Sequence, residues 1–319
     1  MTDNKTNTVL VTGGRGFVGL ATAKLLQRAG YRVVSLDRSA VASGNEAVRE
    51  EVECDIRDCG RLREIFEAET IQGIIHLAAV LPTAAQREPQ LATEVNVLGS
   101  INLLEMARQY GVPRFVFGSS LSVYGTWPEE KVVSEMDRAA PEDVYGAAKV
   151  YVERLGEAYR QKYGLGFVSL RIGRVVGPGA QSATSAWRSE IFECIRAGGS
   201  TDIAIPYAEQ ERILLVHVED VARMLAILLG HPRPAYGVYN APCESVIVGE
   251  LKRVVERANP GVRVKLSGQA VVGNPRQVDW SRLAGEFGVE VVPVFEQLAR
   301  AASRGHTAPD LRGESSGKQ

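Results

Sequence analysis

Cysteine is scarce in this chain: Cys54, Cys59, Cys194 and Cys243 are all there are, and no two form a C-x-x-C pair. The four histidines are not grouped with them, so the sequence offers neither a zinc site nor a disulfide framework, and no metal is expected. Reduced thiols suit a cytosolic chain, and a cytoplasmic location is expected. Net charge is nearly absent as well, with 37 Lys and Arg against 38 Asp and Glu, or -1 at neutral pH. Such a balance provides no field to attract nucleic acid or an anionic membrane, so the expected partners are small molecules. Long apolar runs are missing too. No segment approaches the roughly 20 apolar residues of a membrane span, and the opening MTDNKTNTVLVTGG has no apolar run of signal-peptide length.

What the chain does have is alternation. Short apolar runs at 8–12, 32–37, 51–54, 73–77, 114–118 and 166–171 read as strands, separated by amphipathic stretches at 17–29, 58–69, 89–110 and 143–163 that read as helices. Right-handed crossovers then give an α/β fold, a Rossmann-like doubly wound parallel sheet. The alternation weakens after Arg171. Residues 5–172 are expected to form the dinucleotide-binding domain and 173–305 a smaller C-terminal substrate lobe, in which 238–241 is expected to return to the sheet. Helices are read at 187–197, 219–230, 246–258 and 294–303. The stretch 177–187, GPGAQSATSAW, reads as a mobile or ligand-ordered loop, and the polar 306–319 as a disordered tail.

The first strand runs into Thr12-Gly13-Gly14-Arg15-Gly16-Phe17-Val18-Gly19 and then a helix. Glycines at 13, 14, 16 and 19 permit a tight turn, close approach of a pyrophosphate to backbone N–H groups, and close helix-to-strand contact. The second strand ends at Asp37, near the offset at which a carboxylate accepts from ribose hydroxyls. Asp37 favours NAD, because a carboxylate repels a 2′-phosphate, while Arg15 and Arg38 keep NADP open. Asp55 and Ile56 after the third strand are candidates to cap the adenine. Leu77, Ala78 and Ala79 are candidates to line the cofactor with close backbone, beside a His76 that reads as a core residue.

In VYGAAK, Tyr145 and Lys149 stand four residues apart, so on a helix they share a face. An ammonium near a phenol stabilises the phenolate, and such a pair suits proton transfer, although most Tyr–Lys pairs of this spacing are surface pairs. Gly146, Ala147 and Ala148 between them are read as leaving room for close packing.

Together, TGGRGFVG, LD at 36–37, CDIRD at 54–58, HLAA at 76–79, NVLGSINLLEMA at 96–107, GSSLSVYG at 118–125, YGAAK at 145–149 and LRIGRVVGPG at 170–179 carry a resemblance. The chain resembles the extended short-chain dehydrogenase/reductase family, also called the NAD-dependent epimerase/dehydratase family, strongly over about residues 7–180 and loosely beyond. The resemblance implies Ser120, Tyr145 and Lys149 as the catalytic set. Tyr145 then exchanges the proton of a substrate hydroxyl while hydride passes between the adjacent carbon and nicotinamide, Ser120 bonds the same oxygen, and Lys149 holds the nicotinamide ribose. It also implies that Asn96 orders neighbouring backbone, and that helices near 89–110 and 143–163 form a homodimer interface.

Departures from the family pattern narrow the chemistry. The Thr-Asp-Glu run of its dehydratases is replaced by Ser120-Leu121-Ser122, so elimination of water is not expected. Arg174 stands where nucleotide-sugar epimerases commonly have Asn. The phosphate-holding region reads IPYAEQER, without the usual Gly-Asp-Gly turn. A smaller sugar-like substrate follows: a free sugar, a sugar acid or a related hydroxy compound, as in the family's uronate and erythronate dehydrogenases. Arg174, Arg188 and Arg212 are candidates for a substrate carboxylate or phosphate, and Pro82, Thr83 and Ser122 for the pocket wall. Net oxidation or reduction of a secondary hydroxyl is the leading expectation. Nucleotide-sugar epimerisation by the same residues is the alternative, and a non-catalytic dinucleotide-sensing regulator the second.

Overall fold

A computed structural model describes residues 7–39, 50–179, 185–197 and 200–305. The first half contains β1 (Thr8–Thr12), α1 (Phe17–Arg28), β2 (Arg32–Asp37), β3 (Glu50–Glu53), α2 (Cys59–Ala68), β4 (Ile71–His76), α3 (Pro82–Arg87) and α4 (Pro89–Thr93). A π-helical turn (Glu94–Gly99), α5 (Ser100–Gln109), β5 (Arg114–Ser120), a 3-10 turn (Leu121–Tyr124), β6 (Val132–Val133), α6 (Val144–Tyr163) and β7 (Gly166–Ile172) follow. Beyond them lie β8 (Arg174–Val176), α7 (Trp187–Ala197), β9 (Thr201–Tyr207), β10 (Arg212–His217), α8 (Val218–Gly230), β11 (Val238–Asn240) and β12 (Glu244–Ile247). The chain continues with α9 (Val248–Ala258), β13 (Val262–Gln269), β14 (Gln277–Val278), α10 (Ser281–Phe287) and α11 (Val294–Gly305).

The main sheet is parallel throughout, in the order β11-β7-β5-β4-β1-β2-β3. Its central strands are apolar on both faces because helices cover both. Successive side chains of β1 show this: Val9 and Val11 join one core, Leu10 the other. The first core is closed by α1 and α8, through Ala23, Leu26, Val221 and Leu225; the second by α2, α5 and α6, through Leu62, Leu103 and Val152. Each such large side chain contributes about 1.5–3 kcal/mol by leaving water. A third core, built from Trp187, Ile191, Ile205, Leu215, Leu251 and Leu298, holds the C-terminal lobe together.

The strand order reverses between β1 and β4: the chain first builds outward through β2 and β3, then returns to add β4, β5 and β7 on the other side. A crevice therefore opens at the carboxyl ends of β1 and β4, where α/β sheets bind ligands.

Several details differ from the sequence reading. The helix read at 89–110 is three segments, since Pro89 starts a new helix and the π turn adds a residue around Asn96. Of the pocket-wall candidates, Pro82 opens α3, where its missing N–H costs nothing, and both Pro82 and Thr83 are exposed. Residues 246–247 belong to β12, and α9 begins at Val248. Strand β11 does return to the sheet beside β7, and α8 packs on α1. Residues 173–305 thus supply both the C-terminal lobe and part of the main sheet and its helical cover. The tail at 306–319 and residues 180–184 of the glycine-rich loop lie outside the described residues. Among the described residues no helix is long and apolar enough to cross a membrane, and no cluster of His, Cys, Asp and Glu fits a metal ion.

Candidate active site

The cofactor cradle is built from four strand ends. Gly13 has φ +66°, and a Cβ there would lie 2.7 Å from the Ala78 nitrogen. A Cβ on Gly19 would lie 2.1 Å from the Gly13 carbonyl oxygen, so the turn closes only because both are glycine. Gly16 caps α1 without any side-chain bond, which leaves the first N–H groups of the helix, at Phe17, Val18 and Gly19, for an anion. Gly14 donates to Leu36, tying the turn to β2. At the end of that strand Asp37 accepts from the Arg15 N–H at 3.2 Å and the Arg38 N–H at 2.8 Å. The Arg15 guanidinium is drawn away to Glu51 at 3.4 Å, whereas Arg38 is exposed. These features fit a dinucleotide with an unphosphorylated adenosine ribose: close backbone for the pyrophosphate, and a carboxylate for the hydroxyls.

The adenine candidates fare differently. Asp55 is gripped by Arg57, whose backbone N–H and guanidinium both donate to it, and its pKa is lowered mainly by those guanidinium bonds. Ile56 turns into the core against Gly99 and gives its carbonyl to Asn102 at 3.0 Å, so neither its side chain nor its carbonyl is free for a ligand. Leu77, Ala78 and Ala79 lie half-buried at the end of β4, with the Leu77 N–H bonded to Thr12. Asn96 exchanges two bonds with the Val80 backbone, at 2.7 and 2.9 Å, and so pins the chain beyond Ala79. His76 is a core residue: Thr12 and Ser100 bond its two ring nitrogens at 2.7 and 2.9 Å. Because Ser100 donates its proton to Asn96, it accepts from Nε2, and Thr12 donates to Nδ1. Burial holds this imidazole neutral, with its pKa down to about 3.

Ser120 at the end of β5 meets Tyr145 and Lys149 on the first turns of α6. The helix begins at Asp143, whose carboxylate accepts from the Gly146 N–H at 2.6 Å. Gly146 and Ala148 are buried, and a Cβ on Gly146 would lie 2.7 Å from the Ser122 carbonyl oxygen; Ala147 is exposed and packs nothing. Ser120 acts on the Tyr145 phenol in the direction that favours its ionisation. It also accepts from the Ser122 hydroxyl at 2.9 Å, which orients Ser120 rather than facing the pocket wall. Lys149 is buried, donates to the Gly118 carbonyl at 2.7 Å, and stacks its ammonium 4.6 Å from the Phe117 ring centre and 5.4 Å from that of Tyr145.

Two charged neighbours outside this trio, Asp143 and Arg188, also act on the phenol. Burial raises the Tyr145 pKa well above that of a free phenol, Asp143 adds to the rise, and Ser120 and Arg188 oppose it. Arg188 is thus a further cation acting on the phenol, besides the Lys149 ammonium 5.4 Å from its ring. Lys149 is itself depressed to about 7 by burial, with Glu153 opposing.

Sequence reasoning missed the layer beneath. Glu153 lies one turn beyond Lys149 and accepts from Ser119 at 2.5 Å and from Arg171 at 2.7 and 2.9 Å; Arg171 in turn donates to Tyr124, and Tyr124 to Asn240. The signal was present as a second i+4 step, from Lys149 to Glu153 after Tyr145 to Lys149. Tyr207 was also missed, because β9 has no clean alternation; it accepts from Arg174 Nε at 3.0 Å. Arg188, at the start of α7, acts electrostatically on Arg174, Tyr207 and Tyr145, so these four form one neighbourhood. Arg212 is placed otherwise: it pairs with Glu129 at 3.1 Å on a largely exposed surface, and its neighbour Glu211 pairs with Arg276.

Comparison with known proteins agrees with this geometry. The family model for the NAD dependent epimerase/dehydratase family matches residues 9–241. The UDP-glucose 4-epimerase of Lacticaseibacillus casei is 35% identical over 175 residues, 53% of this chain and 52% of that protein; the chain thus spans about half the length of this curated relative. The mitochondrial L-threonine 3-dehydrogenase of Sus scrofa is 27% identical over 80% of this chain and 69% of its own. Among solved structures, the Thermus thermophilus UDP-glucose 4-epimerase complex with NAD superposes with TM-score 0.80 at 28% identity, covering 95% of this chain and all of that one.

Proposed function

The chain belongs to the NAD dependent epimerase/dehydratase family, and from that premise we propose that it is an NAD-dependent oxidoreductase acting on a secondary hydroxyl or ketone of a small sugar-like hydroxy compound. The observation that carries the reading is the convergence of Ser120, Tyr145 and Lys149 at the carboxyl edge of β5, next to the glycine turn after β1. NAD, when bound, supplies the nicotinamide carbon that accepts or returns hydride. The chain's own residues handle the proton. Tyr145, held protonated by burial, donates its hydroxyl proton to the substrate oxygen during reduction. In the oxidative direction it takes that proton as phenolate, a state favoured by Ser120 and by the Arg188 charge. Ser120, steadied by Ser122, bonds the same substrate oxygen. Lys149 is held over Phe117 where its ammonium can reach the cofactor ribose.

Epimerisation is the second reading, favoured by the likeness to UDP-glucose 4-epimerases. It uses the same residues twice, with the ketone turned over between the two steps. Measuring NADH absorbance with free sugars, sugar acids and nucleotide sugars separates the two. The oxidoreductase reading expects stoichiometric NADH with one free compound, reduced about 1,000-fold or more in Tyr145→Phe. A flat NADH signal while a nucleotide sugar changes configuration selects epimerisation instead.

The four thiols, all free and three of them buried, support a cytoplasmic location. Half-exposed Leu98, Tyr151 and Tyr163, on the π turn and α6, support a homodimer through that face. A monomer by light scattering at assay concentration removes the dimer; an active pool confined to an oxidising compartment removes the location.

A further inference from the structure

Among the described residues, Arg188, which acts on Tyr145, and its neighbour Arg174 have no acid to meet. The Nε of Arg188 is fully buried and has no hydrogen-bond partner there. What acts on Arg188 is burial first, then the like charge of Arg174, then Tyr207 and Tyr145, and no carboxylate is among them. Three other arginines of the chain are matched by carboxylates: Arg171 with Glu153, Arg212 with Glu129, Arg276 with Glu211. Two like charges in a half-buried place without a counter-charge are unfavourable, and the arrival of an anion reverses the sign.

The pair is also held in position. Arg174 donates its Nε to Tyr207 at 3.0 Å and lies 5.2 Å over that ring, and the Arg188 guanidinium carbon lies 5.9 Å from the Trp187 ring centre. Trp187 and Tyr207 meet edge to face at 6.5 Å. Aromatic walls thus steady two cations whose charge the described residues leave unanswered.

We propose that Arg188 and Arg174 form a carboxylate subsite of the active centre, so that the substrate is a hydroxy acid whose carboxylate docks on the Arg188 side of Tyr145. This rests on the oxidoreductase reading above and narrows its substrate class. A planar carboxylate matches one edge of a guanidinium with two parallel bonds. A phosphate ester calls for donors around three oxygens, for which a glycine loop is the usual source. Here that loop is already committed: the Gly177 N–H bonds the Arg188 carbonyl at 3.1 Å, and the Gly179 N–H bonds Glu193 at 3.0 Å.

The test is binding to the NAD-loaded protein, followed by tryptophan fluorescence and calorimetry, with four- to six-carbon aldonates, their carboxamides and inorganic phosphate as probes. At least one aldonate is expected to bind about tenfold or more tighter than its carboxamide and than phosphate. Arg188→Gln should weaken it roughly 100-fold and Arg174→Gln about tenfold. Equal binding of acid and carboxamide, tighter binding of phosphate, unchanged affinity in Arg188→Gln, or no binding by any aldonate overturns the proposal. If Arg188→Gln does not fold by circular dichroism, Arg188→Lys, which keeps the charge but loses the two-point edge, decides with Arg174→Gln. An aldonate that binds through Arg188 yet yields no NADH leaves the subsite standing and removes the oxidoreductase reading instead.

Discussion

The two edges of the crevice treat charge in opposite ways. At the cofactor edge the groups are matched: Arg15 meets Glu51, Arg57 meets Asp55 and Glu94, and Asp37 accepts from two N–H groups. At the proposed substrate edge, among the described residues, Arg174 and Arg188 act on each other and have aromatic rings but no carboxylate for company. A rigid, neutralised edge suits a ligand that every turnover needs, recognised largely by backbone shape. An edge with unanswered charge suits a ligand that brings its own counter-charge, and selectivity comes from that need.

Breaking the first edge should have the largest effect. Gly19→Ala puts a methyl group 2.1 Å from the Gly13 carbonyl, so the turn must open. NAD affinity is expected to fall about 100-fold and stability by about 1–3 kcal/mol, read by cofactor titration and urea unfolding. Affinity within twofold of the parent would mean that the turn does not hold the cofactor.

Lys149 lies between the edges, and its effect is intermediate. Its folded pKa, depressed to about 7, lies below the ordinary lysine value of 10.5. From about pH 7 to 10.5 the unfolded chain therefore binds more protons than the folded one, so the cost of burying Lys149 is fully present below pH 7 and fades as pH rises. Without cofactor, Lys149→Met should flatten the pH dependence of stability in that window by up to about 1.4 kcal/mol per pH unit. Unfolding curves at pH 7, 8 and 9 with the same slope in both proteins would refute it.

The smallest change sharpens the contrast with Arg188. Arg212→Gln removes an exposed arginine already paired with Glu129. Substrate affinity should stay within about threefold of the parent and stability within about 1 kcal/mol. A loss as large as that expected for Arg188→Gln would move the anion site to β10.

How much of this was legible in the chain depended on how local each cause is. The strands β1, β2, β5 and β7 were readable to within two residues, since runs covered on both faces are continuously apolar. The glycine turn was readable because a positive φ and a 2.1 Å approach leave no other residue possible. The C-terminal strands β8, β9, β10, β12, β13 and β14 were not, because they pair with partners far along the chain in small separate sheets. The three candidate arginines looked alike as letters. What separated them was whether a carboxylate from a distant segment reached them: Glu129 comes from 83 residues away to Arg212, and none among the described residues comes to Arg188.

Amino-acid order alone therefore settled the family, the doubly wound sheet and the positions of Ser120, Tyr145 and Lys149, because turn geometry, strand burial and i+4 spacing act over a few residues. Packing of the complete chain settled the charge environment. It brought Arg188 to act on Tyr145 along with Lys149, depressed Lys149, and, among the described residues, gave some arginines a carboxylate and Arg188 none. Desolvation and Coulomb interaction depend on distance in space, and neighbours in space need not be neighbours in sequence.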